Sequence, residues 1–192
     1  IAYKEGRYDA AISQYDKILN GGRASGPLYY NLGNSYFKKG NIGKAVLNYE
    51  RARKLMPRDS DLNFNHEFVQ SKADPYGYGT QSKFLDMLVQ RHIQFYTLDE
   101  MVIILLGIVI VAGIIFLISL YGHWTETIRG WVFLLLALLF LVYGSGLIIK
   151  VGDEWDMAVV ITSTESFFEP RVDSTVHFKV SEGLKARILK SE

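Results

Sequence analysis

The chain contains no cysteine. That removes disulfides, thiolate metal sites and cysteine nucleophiles together, while leaving the redox compartment open, since a Cys-free chain is stable in either setting. An excess of one charge is also lacking: 21 Lys and Arg stand against 20 Asp and Glu, and the basic residues sit among acids. No basic footprint for nucleic acid exists, and no nucleic-acid partner is expected. His66, His92, His123 and His177 are scattered without paired metal-ligand spacing, and no Ser-His-Asp arrangement is legible. Although sequence alone does not rule a triad out, nothing points to an enzyme, a cofactor or a metal. The stretch NLGNSYFKKGNIGKA over 31–45 is rich in glycine but fails as a P-loop, because Gly40 and Gly43 are too close and Lys44 is followed by Ala45. Asp59, Asp61 and Asn63 have the opening spacing of a calcium loop, yet Phe64 stands where Gly is needed and Gln70 where Glu is needed.

What the chain does have is two long apolar runs. Residues 101–122 and 130–149 carry no Asp, Glu, Lys or Arg, and each has the roughly 20 residues needed to cross a bilayer core. They read as transmembrane helices in contact with the lipid bilayer; a pair of buried core helices is the competing reading, though such helices rarely run so long without a polar face. The loop 123–129 is too short for more than a turn with an interfacial Trp124, so the runs form a hairpin and the segments at its two ends share one side of the membrane. With no ionisable residue inside either run, a proton relay or ion-coupled transport is disfavoured, and the hairpin reads as an anchor.

Before the hairpin the chain repeats itself at an offset of 34: Gly6, Ala11 and Tyr15 fall on Gly40, Ala45 and Tyr49, with Lys4 on Lys38 and Asp16 on Glu50. Tyr29, Leu32 and Tyr36 make one apolar stripe at helical spacing, Gly33 lets a partner helix approach, and Gly40 with Asn41 turns the chain. Ala45, Tyr49 and Ala52 follow on a second helix that Pro57 ends. In period and in eight positions, Tyr29, Leu32, Gly33, Tyr36, Ala45, Tyr49, Ala52 and Pro57, the stretch resembles the tetratricopeptide repeat. The resemblance implies an all-α repeat scaffold whose first helix turns Tyr30, Asn31, Asn34, Phe37 and Lys38 away from the packing stripe, towards a protein partner; a merely structural role for Asn31 and Asn34 stays open. Residues 1–4 read as the end of a helix whose earlier turns precede the chain, and 61–72 as a polar capping helix in which His66 and Glu67 replace the Leu-Gly pair.

Residues 73–80 form a Pro/Gly turn region. A segment over 82–98 places Phe84, Leu85, Leu88 and Phe95 along one helical face, as an interfacial helix or one packed on the repeats. After 151 come short β-type runs and a turn at Glu182-Gly183, in a stretch that resembles the first half of a bacterial SH3-like barrel. The expected organisation is a multidomain membrane protein: an all-α tetratricopeptide repeat domain (1–73), a linker with interfacial helix (74–99), spans over 100–122 and 130–150 joined by 123–129, and a small all-β SH3-like barrel (151–192), incomplete in this chain.

Repeats, hairpin and SH3-like segment in this order resemble the BatE-type proteins of bacterial aerotolerance operons. That resemblance implies a non-enzymatic scaffold of the inner membrane with von Willebrand A-type Bat proteins and a MoxR-type ATPase as partners, and soluble parts in the periplasm. The competing class is an envelope accessory whose SH3-like domain binds wall peptide. Basic residues favour the opposite sidedness, with Lys83, Arg91 and Lys150 on the domain side against Arg129 in the loop.

Overall fold

The computed structural model describes residues 2–73, 84–122, 125–167 and 176–187. They fall into two compact units, one made of Ile1–Met87 with Asp156–Glu192 and the other of Leu88–Trp155.

In the first unit four helices follow one another, α1 (Tyr8–Asn20), α2 (Gly26–Lys38), α3 (Ile42–Leu55) and α4 (Ser60–Ala73), each packed against the next. The joints follow from backbone chemistry. Gly40 has φ +80°, and beside it the Gly40 and Asn41 N–H groups donate to the Phe37 and Tyr36 carbonyls, satisfying the orphan carbonyls of the helix end. The same pair of bonds recurs at the repeat offset, from Gly6 to Tyr3 and from Arg7 to Ala2. Residues 2–6 are thus a turn with the hydrogen bonding of a helix C-terminus. At the start of α4 the Asp59 carboxylate accepts from Leu62 N–H at 2.8 Å, the N-cap that a short polar run provides.

Ala45, Val46, Tyr49 and Ala52 of α3 and Leu62 and Val69 of α4 form the core, each 1% exposed or less. Leu32 and Gly33 of α2 are buried against it, and a Cβ on Gly33 would stand 2.7 Å from the Tyr49 ring. α4 differs from the polar capping helix expected over 61–72. Glu67 is exposed, but His66 is buried: at the repeat offset it occupies the phase of Leu32, which faces inward, so its polarity had to be answered by a partner within the fold.

The segment after α7 in this unit is an interrupted two-stranded ribbon. β1 (Met157–Val159) pairs antiparallel with β4 (Lys185–Arg187), and β2 (Thr164–Phe167) with β3 (Val176–Val180). The pairs are nested, joined by bonds from Val160 N–H to Leu184 O and from Gly183 N–H to Val160 O. The SH3-like barrel expected over 151–192 is not evident among the described residues. A barrel strand needs a neighbour on each edge, whereas each described strand here has one, and Val159 packs on the helical core instead of on a second sheet.

The second unit holds α5 (Phe84–Phe95) from Leu88 on, α6 (Leu98–Tyr121) and α7 (Glu126–Asp156) up to Trp155. The first apolar run falls within α6 but for Gly122, which ends it, and the second lies inside α7; both helices are long and apolar enough to cross a membrane, and almost none of their apolar length is buried. α6 starts at a capping box, Thr97 Oγ1 accepting from Glu100 N–H and Glu100 Oε2 from Thr97 N–H. Lys150 Nζ donates to the Ile93 and Tyr96 carbonyls at 3.1 and 2.7 Å, which ties the end of α5 to α7. α7 already begins at Glu126, so the expected loop over 123–129 is shorter than its sequence suggested; Trp124, Lys83 and the side chains of Phe84, Leu85 and Leu88 lie outside the described residues.

Candidate functional site: the groove between α2 and α4

Because α2 and α4 occupy the same phase of the repeat, they present the same kind of face on either side of one concavity. Tyr30, Asn34, Phe37 and Lys38 of α2 and Phe64, Asn65, Phe68 and Val69 of α4, with Tyr3 and Tyr49, line an open pocket of about 380 Å³. Asn31, the fifth position expected there, is exposed outside that lining, and its carbonyl accepts from Ser35 Oγ.

The floor is polar and connected. Tyr49 Oη donates to Asn34 Oδ1 at 2.7 Å, and Asn65 Nδ2 donates to Tyr30 Oη at 2.8 Å and to Asn34 Oδ1 at 3.2 Å. Burial pushes the Tyr49 hydroxyl well up, so it remains a donor at any physiological pH. With both donors directed at its oxygen, Asn34 keeps its own amide hydrogens without a partner among the described residues. The walls are aromatic: Phe37 and Phe68 meet edge to face at 5.9 Å, and Phe64 is 70% exposed. Lys38 is exposed at the rim, and Lys72 Nζ lies 4.9 Å from the Phe68 ring centre. Such a surface offers amide donors, rings and positive charge to an extended chain.

Apart from Tyr49, whose hydroxyl reaches the groove floor, the residues assigned to packing lie elsewhere. Leu32, Gly33, Ala45, Tyr49 and Ala52 are buried, Tyr29 and Tyr36 are half-buried beneath Arg51 and Lys44, and the Pro57 carbonyl accepts from Asn63 Nδ2.

Behind the groove sits a charged cluster that sequence reasoning missed. Glu50 Oε1 of α3 lies 2.7 Å from His66 Nε2 of α4 and 3.8 Å from Arg53 Nη1, and it forms an ion pair with Lys185 of β4. Arg53 Nε donates to Asn63 Oδ1. Burial raises the Glu50 carboxyl, but the His66 hydrogen bond and the Lys185, His66 and Arg53 charges outweigh it and hold the group well below the usual carboxylate range. His66 is held below its ordinary value, chiefly by burial, with the Arg53 and Lys185 charges adding and Glu50 opposing. It is therefore a neutral imidazole whose Nε2–H donates to the carboxylate. One signal for this cluster was present: a histidine at the buried phase of Leu32, with an acid at the repeat phase of Asp16. Nothing in the sequence pointed to Lys185.

Residues 27–59 match the tetratricopeptide repeat family model. Curated relatives include tetratricopeptide repeat protein 16 of Mus musculus, 28% identical over 98 residues (51% of this chain, 11% of the relative), and of Homo sapiens, 30% identical over 70 residues (36% and 8%). The chain thus spans about a tenth of the length of these relatives. No solved structure matches it. The α2–α3 pair is accordingly a tetratricopeptide repeat.

Proposed function

We propose that this repeat-bearing chain is a non-enzymatic, membrane-anchored scaffold that holds an extended segment of a partner protein in the groove between α2 and α4. The observation that carries the reading is Asn34, which lines an aromatic-walled groove with its amide oxygen already occupied. Repeat scaffolds bind through such concave faces, and main-chain carbonyls of a peptide are the acceptors that an amide pair fits. Asn34→Ala combined with Lys38→Ala should strip the partners that co-purify with the full-length protein in mild detergent. Unchanged partner levels from a folded double variant would refute the groove.

The anchor in this reading is α6 and α7, whose unburied apolar surface suits a bilayer. Both ends of this hairpin belong on one side, because the repeats before it and the ribbon after it share one compact unit. We place that side in the periplasm of a bacterial inner membrane and the partners among von Willebrand A-type Bat proteins and a MoxR-type ATPase; domain order is what supports this. Single cysteines at Ser82 and Thr125 test the sidedness with a thiol reagent that crosses only the outer membrane of intact cells. Labelling is expected at Ser82→Cys, and labelling at Thr125→Cys alone would reverse the orientation.

A further inference from the structure

In the repeat, α2 is covered by α3. α4 has the phase of a first helix, but among the described residues no second helix packs on it, and the ribbon packs on α3 and on the end of α4 at Ala73. Two glycines make the fit. Gly43, in the first turn of α3, has its absent side chain filled by ribbon backbone: a Cβ there would stand 2.6 Å from Val160 O and 2.7 Å from Ile161 Cα. Gly183, at φ +86°, would place a Cβ 2.6 Å from Ala73 Cβ and 3.3 Å from Val46. Backbone at Gly43 cannot rotate out of the way, the Ala73 Cβ at Gly183 is fixed to its helix, and Gly183 is left-handed besides, so both positions require glycine for docking.

Polar contacts join the same surfaces. Gly43 N–H donates to Glu182 Oε2 at 3.4 Å. Glu50 is faced by Arg53 from its own helix, by His66 from α4 and by Lys185 from the ribbon. Successive residues of α4 then look opposite ways: Asn65 bonds Tyr30 and Asn34 in the groove floor, while His66 bonds Glu50 behind it.

We propose that the ribbon is the end cap of the repeat array, a stand-in for the missing second helix, and that through Glu50 it holds α4 in place as the far wall of the groove. The groove's role in binding comes from the function proposed above; the cap is tested without it. Hydrogen exchange by mass spectrometry is measured on the full chain in detergent for wild type, Lys185→Ala, Lys185→Arg and Gly43→Leu. Lys185→Ala should speed exchange across 60–73 about tenfold and leave 26–38 unchanged, while Lys185→Arg, which keeps the ion pair, should match wild type. Gly43→Leu discriminates by sign. Leucine is a better helix former than glycine, so without a docked ribbon it would slow exchange in α3, whereas with one it must displace the ribbon and loosen α4. Exchange over 60–73 at the wild-type rate in both Lys185→Ala and Gly43→Leu would overturn the cap. Because this readout involves no partner, a failed Asn34→Ala binding test would refute the groove and leave the cap standing, and the reverse holds as well.

Discussion

α2 and α4 are the same helix in two circumstances. At the repeat offset Leu28 matches Leu62, Tyr30 matches Phe64, Asn31 matches Asn65, Leu32 matches His66 and Gly33 matches Glu67. The leucines are buried in both. The differences lie where the neighbours differ: Gly33 is pressed by Tyr49 and can carry no side chain, while Glu67 meets solvent. Leu32 meets an apolar helix, whereas His66 meets a carboxylate that the ribbon also holds. A repeat sequence therefore records what covers each helix, and a departure from the repeat marks a change of neighbour.

The comparison breaks most severely at Gly33. Gly33→Leu would drive a side chain into the Tyr49 ring, an overpacking cost of about 1–3 kcal/mol or more. The same side chain would strip Tyr49 from Asn34 and open the groove floor. Exchange over 26–55 should rise by at least tenfold in the full chain, and wild-type protection there would mean that α2 and α3 do not touch at this point.

His66 sharpens the comparison through pH. Its folded pKa lies below the ordinary 6.5, so as pH falls through that value the unfolded chain takes a proton that the folded chain refuses. Stability is then complete above 6.5 and is lost below it, by up to about 1.4 kcal/mol per pH unit until the folded value is reached. Glu50 acts in the same direction at lower pH: its contribution is complete above 4.5 and is lost as pH falls below. His66→Leu gives α4 the residue α2 has. It should lose about 1–3 kcal/mol at pH 7.5, because the buried Glu50 carboxylate loses a donor, and it should lose the step between pH 7 and 5, while the decline below 4.5 becomes smaller and rests on Lys185 and Arg53. Urea midpoints followed by exchange over 60–73 measure both, and an equal step in the two proteins would remove His66 as its source.

The repeat was legible because its signals are local: a period, a stripe at three- and four-residue spacing, and a left-handed glycine between helices. The apolar helices were legible for the same reason, since length and absence of charge suffice. Four of the five positions turned away from the stripe line one pocket, because phase on a helix fixes direction. The pairing within the ribbon was not legible. Val176–Val180 shows strand propensity and Lys185–Arg187 does not, and propensity does not say which strand pairs with which, so a nested ribbon and a barrel start alike. Gly43 was legible only as a glycine that does not fit a P-loop, because its partner, the backbone at Val160, is more than a hundred residues away in the chain. Contacts of that range leave a mark only as an oddity, such as a glycine inside a helix or a histidine at a leucine phase.

The smallest effect is expected where the same substitution is moved from α2 to α4. Glu67→Leu repeats Gly33→Leu one repeat later, but Glu67 is exposed and no second helix presses on it. Leucine and glutamate have nearly equal helix propensity, and an exposed substitution away from any cap or ion pair stays within about 0.5 kcal/mol. Exchange over 60–73 should therefore be unchanged in Glu67→Leu, with the urea midpoint equal to wild type. The contrast with Gly33→Leu isolates the neighbour as the cause, because helix phase and final side chain are matched and the propensity gain from glycine to leucine would by itself stabilise the Gly33 variant. A loss at Glu67→Leu comparable to that at Gly33→Leu would mean that something covers this face of α4, and the ribbon would then not be what ends the array.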